Sequence, residues 1–131
     1  MRKQQPEYEL QKAVCQYLEL QYPDVLFVST GIPFNLSPQQ GARIKAINKS
    51  GFKCPDLVIL EGRLGWKGLA VELKAKDIYT KDGKRLLKSD HVEAQEKSIF
   101  GLVDKGYFAQ FAVGFDEAKQ AIDWYLKGEK Q

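Results

Sequence analysis

The sequence predicts an α/β fold in which a mixed central sheet is flanked by helices, with elements in the order αβαββαβα. Three observations carry that prediction. Apolar residues recur at helical spacing behind recognisable caps, short β-favouring runs separate those stretches, and one adjacent pair of runs is joined by a turn short enough for a hairpin. A length of 131 residues and an apolar fraction of 44% fit one domain, residues 1–131, around one core.

Residues 7–21 read as the first helix, with Leu10, Val14, Tyr17 and Leu18 in one stripe and Pro23 ending it. Val25 to Ser29 is a short strand. Ser37-Pro38-Gln39-Gln40 supplies a cap, a proline at the first helical position and a capping-box glutamine for a second helix to about Asn48, closed by Gly51. Asp56 to Leu60 and Gly68 to Ala75 are strands, and Gly62-Arg63-Leu64-Gly65 turns one into the other. Asp90-His91-Val92-Glu93 has the form of another capping box, with Asp90 as cap, for a helix running to Lys105; Gly106 suits its left-handed end. Tyr107 to Val113 is the last strand and Asp116 to about Lys127 the last helix, in which Trp124 and Tyr125 are expected to seal the core. Trp66 in the hairpin turn reads most simply as a half-exposed packing residue.

The formal net charge is only +3, but it is unevenly spread. Arg43, Lys45, Lys49 and Lys53 come with no acid among them, and Lys76, Lys81, Lys84, Arg85 and Lys88 crowd residues 76–89. Basic segments on both sides of a carboxylate motif suit a polyanion held beside a metal. No apolar run approaches a membrane span, and the first six residues lack the apolar stretch of a signal peptide. Cys15 and Cys54 form neither a metal spacing nor a disulfide framework, which suits a reducing cytoplasm. A lone His91 disfavours nucleases built on a histidine-centred site.

The motif itself is Pro55-Asp56 followed by Glu72-Leu73-Lys74 on the neighbouring strand. Alternation puts Glu72 and Lys74 on one face, with Val71, Leu73 and Ala75 on the face that packs inward. Two carboxylates and an amine on one patch are what metal-assisted phosphodiester hydrolysis requires. Pro23-Asp24, Asp82-Gly83-Lys84 and Glu117-Ala118-Lys119 copy parts of the pattern, but they sit at a turn, in a loop and on a helix. At about 100° per residue, Glu7 falls inside the stripe of the first helix and Glu9 outside it. Gln95 falls inside the apolar arc of Val92, Ile99, Leu102 and Val103, where its amide needs a partner.

With these placements the chain resembles the PD-(D/E)xK nucleases with their restriction-endonuclease-like fold. More narrowly, it is similar to the stand-alone virus-type replication-repair nuclease (VRR-NUC) domains of phages and bacteria. The resemblance runs from Glu7-Tyr8-Glu9-Leu10-Gln11 through Gly41 to Gly51, Cys54-Pro55-Asp56-Leu57 and Val71-Glu72-Leu73-Lys74 to the Gln95 helix and Lys105-Gly106-Tyr107. Cys54 in place of an aliphatic residue and the long basic loop 76–89 depart from it. The resemblance implies that Asp56 and Glu72 bind Mg²⁺ or Mn²⁺, joined by Glu7 and the Leu73 carbonyl. It implies that Lys74 orients the attacking water and that Gln95 supports Lys74 or that water. Arg43, Lys45, Lys49, Lys53 and Lys76 would hold DNA. It further implies an endonuclease leaving a 5′-phosphate, selective for branched DNA, acting as a homodimer in the cytoplasm of a bacterium or phage-infected host. The competing reading is a DNA-binding or assembly module on the same fold, against which the intact set Glu7, Asp56, Glu72 and Lys74 argues.

Overall fold

The computed structural model describes residues 6–30, 36–76 and 89–128. In chain order the elements are α1 (Pro6–Gln21), β1 (Phe27–Ser29), α2 (Pro38–Ala46), β2 (Leu57–Ile59), β3 (Leu69–Lys74), α3 (Asp90–Asp104), β4 (Phe108–Val113) and α4 (Gly114–Leu126). The order is the expected αβαββαβα. The basic residues Lys81, Lys84, Arg85 and Lys88 lie outside the described residues, as does the loop 31–35.

The four strands lie in the order β1-β2-β3-β4. β1 and β2 are antiparallel, as are β2 and β3, whereas β3 and β4 run parallel with α3 as the crossover. The hairpin between β2 and β3 closes at Arg63 and Trp66, which exchange two backbone hydrogen bonds. Leu64 (φ 56°) and Gly65 (φ 84°) both take the left-handed conformation that a two-residue turn of this twist demands. Trp66 packs edge-on against Phe108, with ring centroids 5.3 Å apart.

The sheet separates two apolar layers. Leu57, Ile59, Leu69, Val71 and Leu73 pack with Val14 and Leu18 of α1 and with Ala118, Ile122, Tyr125 and Leu126 of α4. Ala70, Ala109 and Phe111 face the other way, against Val92 and Ile99 of α3. α2 carries the full capping box between Ser37 and Gln40, yet it buries no residue. It stands clear of the sheet with Arg43 and Lys45 exposed.

Four expectations are corrected. The cap of α3 is Ser89, whose hydroxyl accepts the Val92 N–H at 3.1 Å, and Asp90 is already helical; a serine one position earlier takes the role. Trp124 is 51% exposed while Tyr125 is fully buried, because one helical step of about 100° turns its neighbour out of the core. Val103 lies at the rim of the α3 stripe and is exposed. β2 starts at Leu57, so Asp56 precedes the strand instead of opening it.

Both outer strands offer little to another chain. β1 has three residues. On β4 the outward N–H of Val113 is taken by the Glu117 carboxylate at 2.9 Å, and the Phe111 carbonyl accepts from the Gln110 amide at 3.2 Å.

Candidate active site

Asp56 is fixed from three directions. Its backbone carbonyl accepts the Thr30 N–H at 2.9 Å and the Gln11 amide at 3.2 Å. Its Oδ2 accepts the Leu73 N–H at 2.9 Å. One residue earlier, the carbonyl of buried Pro55 accepts the Thr30 hydroxyl at 2.9 Å. Two residues earlier still, the Lys53 N–H donates to buried Ser98 on α3 at 2.7 Å. The Pro55-Asp56 segment thus spans from α1 and β1 on one side to α3 on the other.

Glu72 and Lys74 lie on the sheet face shared with Ala70, as alternation requires. That face is not open surface, because α3 covers it. Glu72 is 5% exposed and Lys74 7%. Burial raises the Glu72 carboxyl well above the usual carboxylate range. The adjacent Asp56 carboxyl adds to this through a hydrogen bond and through charge, Lys74 opposes it, and the Glu7 charge reinforces it. Burial beside a second carboxyl group thus favours the protonated form of Glu72. No ion pair joins Glu72 to Lys74 among the described residues.

Glu7 is exposed in the first turn of α1. The buried stripe of that helix starts only at Val14, although the charge of Glu7 reaches Glu72. Gln11, one turn further on, ties the helix to the site by also donating to Ser29 at 2.5 Å. Cys54 is exposed as a residue, but partial desolvation of its thiol, with the charges of Glu72 and Asp56, raises its pKa.

Gln95 is buried on α3, between Val92 and Ile99. Its amide nitrogen is 3.1 Å from His91 Nε2, and its Oε1 has no partner. It makes no hydrogen bond to Lys74. Arg43, Lys45, Lys49, Lys53 and Lys76 are all exposed. Lys53 and Lys76 flank the carboxylate pair in sequence, whereas Arg43, Lys45 and Lys49 sit on and after α2.

No family model and no curated protein matches this chain. A solved structure described as a "VRR_NUC domain protein" superposes with a TM-score of 0.64. The likeness covers 98% of this chain and 94% of that one at 26% identity. The chain shares the fold of that VRR_NUC domain protein over nearly its whole length.

On this fold the donor set can be tested against a divalent cation. Asp56 and Glu72 present hard carboxylate oxygens of the kind such ions prefer. In a strand the N–H and C=O of one residue leave by the same edge. Because the Leu73 N–H meets Asp56, its carbonyl is directed to the same side, beyond Leu57, the first residue of β2. A cation there would compensate the charge of a buried Glu72 carboxylate. Among the described residues, no three His, Cys, Asp or Glu side chains close into a preformed cage. A pair of carboxylates and a carbonyl fits an ion that keeps several waters.

Three residues have site contacts that sequence patterns did not assign: Gln11, Ser98 and His91. Each bonds to a backbone group or side chain distant in sequence or one helical turn away, and only the i, i+4 spacing of His91 and Gln95 was readable beforehand. A groove of about 470 Å³ lined by Phe108, Gln110, Glu117 and Trp124 lies on the α4 side of the sheet, away from the carboxylates.

Proposed function

We propose that this chain is a metal-dependent DNA endonuclease that hydrolyses phosphodiester bonds and leaves a 5′-phosphate. The observation that carries the reading is buried Glu72 beside half-buried Asp56, with buried Lys74 on the same strand face as Glu72. Burying Glu72 and Lys74 next to a second acid is costly for folding and has no packing benefit. Mg²⁺, with Mn²⁺ as substitute, would be held by Asp56, Glu72 and the Leu73 carbonyl, with Glu7 adding negative charge. When bound it supplies an acidified water and neutralises charge on the phosphate.

The chain's own residues do the rest. Asp56, pinned through its backbone and its Oδ2, sets where the phosphate stands. Lys74 orients the water and stabilises the charge that develops on phosphate oxygens. Gln95 supports Lys74 or that water through its free Oε1. Arg43, Lys45, Lys49, Lys53 and Lys76 hold the DNA backbone. The substrate is branched DNA, read by its shape and not by its sequence, and two copies of the chain act on two strands in phage or bacterial replication and repair.

The test is cleavage of end-labelled four-way, flap, splayed-arm and linear duplex DNA with Mg²⁺ or Mn²⁺. Metal-dependent cutting that disappears in Asp56→Asn and Lys74→Ala supports the reading, and the ranking of substrates identifies the preferred structure. Binding of branched DNA without cutting by any protein, with either metal, would make the chain a binding module instead.

A further inference from the structure

We propose that His91 is a positioning residue: its Nε2 lone pair holds the Gln95 amide with the oxygen, not the NH2 group, turned toward the sheet face of Glu72 and Lys74. The inference rests on the nuclease reading for its consequence but on local geometry for its content. His91 and Gln95 are one helical turn apart, and His91 Nε2 lies 3.1 Å from the Gln95 nitrogen. His91 is on the exposed side of α3. Gln95 is 6% exposed, and its Oε1 is cut off from solvent with no partner. The buried end of the amide therefore points into the layer between α3 and the sheet. In that layer the only ionisable side chains on β3 are Glu72 and Lys74.

The two ends of a primary amide have nearly the same shape and opposite hydrogen-bonding character. Packing cannot choose between them, so the choice falls to the partner outside. A neutral imidazole protonated on Nδ1 accepts from the NH2 and leaves Oε1 pointing inward. An imidazole protonated on Nε2 requires Oε1 for itself and turns the NH2 inward. Lys74 has three donors and no acceptor. An inward NH2 would set donors against donors, whereas an inward oxygen offers the ammonium, or a water it holds, an acceptor. The tautomer of a surface histidine thereby decides whether a buried amide helps or opposes the lysine.

His91 is the one histidine of the chain, so the imidazole nitrogens can be followed in the intact protein without overlap. ¹⁵N–¹H correlation spectra of the neutral ring are expected to report the Nδ1–H form with Nε2 unprotonated. In Gln95→Ala the ring is expected to shift toward the Nε2–H form that free imidazole prefers. An Nε2–H ring in the unmodified protein would overturn the proposal. In cleavage assays His91→Ala is expected to lower kcat about tenfold with KM for DNA unchanged. His91→Gln, which carries an oxygen where Nε2 stood, is expected to recover most of that loss. Unchanged kcat in a folded His91→Ala protein would also overturn it. The tautomer measurement needs no substrate, so a failure of cleavage in every protein would count against the nuclease reading alone.

Discussion

Asp56 and Leu73 are joined across the end of the hairpin: the Asp56 carboxylate accepts the Leu73 backbone N–H at 2.9 Å, beyond Leu57, the first residue of β2. A side chain thus continues the work of the ladder where the ladder stops. The same bond fixes one carboxylate against the strand that carries the other, so a single contact serves both fold and site.

Substitution at this position separates those two duties. Asp56→Asn keeps an oxygen for the Leu73 N–H and is expected to fold normally while losing about a hundredfold or more of its cleavage rate. Asp56→Ala leaves that N–H without its partner and is expected to lose a further ~1–3 kcal/mol of stability. Urea denaturation beside the cleavage assay distinguishes the two.

Glu72 should make the metal-free protein sensitive to alkali. Its folded pKa lies above the unfolded value of 4.5. Its contribution is therefore fully present below that value and is lost as pH rises toward the folded pKa. Thermal midpoints in a chelator are expected to fall with rising pH, and to fall less in Glu72→Gln, which is also expected to be inactive. Addition of Mg²⁺ is expected to restore the midpoint of the unmodified protein and to leave Glu72→Gln nearly unmoved.

The opposite sign applies to Asp123, which accepts from Tyr17 at 2.5 Å, from Tyr22 at 2.7 Å and from Lys119 at 2.9 Å. Burial alone would raise its pKa, but Lys119 and the two hydroxyls outweigh it and pull it down to about 2. The stability it confers is complete above the unfolded value of 3.8 and is lost as pH falls through the folded value. Tyr17→Phe and Tyr22→Phe are each expected to cost ~1 kcal/mol near neutral pH. Asp123→Asn is expected to flatten the acid limb of a denaturation series between about pH 4 and 2.

Removing charge from α2 should affect DNA and nothing else. Arg43→Ala and Lys45→Ala remove exposed side chains from a helix that buries no residue. Each is expected to weaken binding to any DNA sequence and to reduce the salt slope by about 1, with no change in thermal midpoint. Fluorescence anisotropy against salt concentration measures both.

The sequence made some parts of this molecule plain and concealed others for physical reasons. The Ser37–Gln40 capping box and the Leu64-Gly65 turn are local chemistry, complete within a few residues, and both stand where their patterns placed them. The alternation that puts Glu72 and Lys74 on one face is also local. Whether that face meets water depends on where α3 lies, and that is set by a parallel crossover whose geometry no short window contains. Trp124 and Tyr125 differ by one position, and which of them is covered depends on how α4 is rotated against the core. Gln11 and Ser98 meet backbone 45 residues away, so no spacing rule points to either.

The outer rims of the sheet bear on how the protein survives at high concentration. A long bare edge invites strands from other molecules and is a common start of aggregation. Here one rim is three residues long, and the other has its Val113 N–H and Phe111 carbonyl already engaged by Glu117 and Gln110. Glu117 and Gln110 therefore act as gatekeepers. Fewer backbone groups are thereby left for a strand of another copy to pair with, which disfavours growth into a fibre.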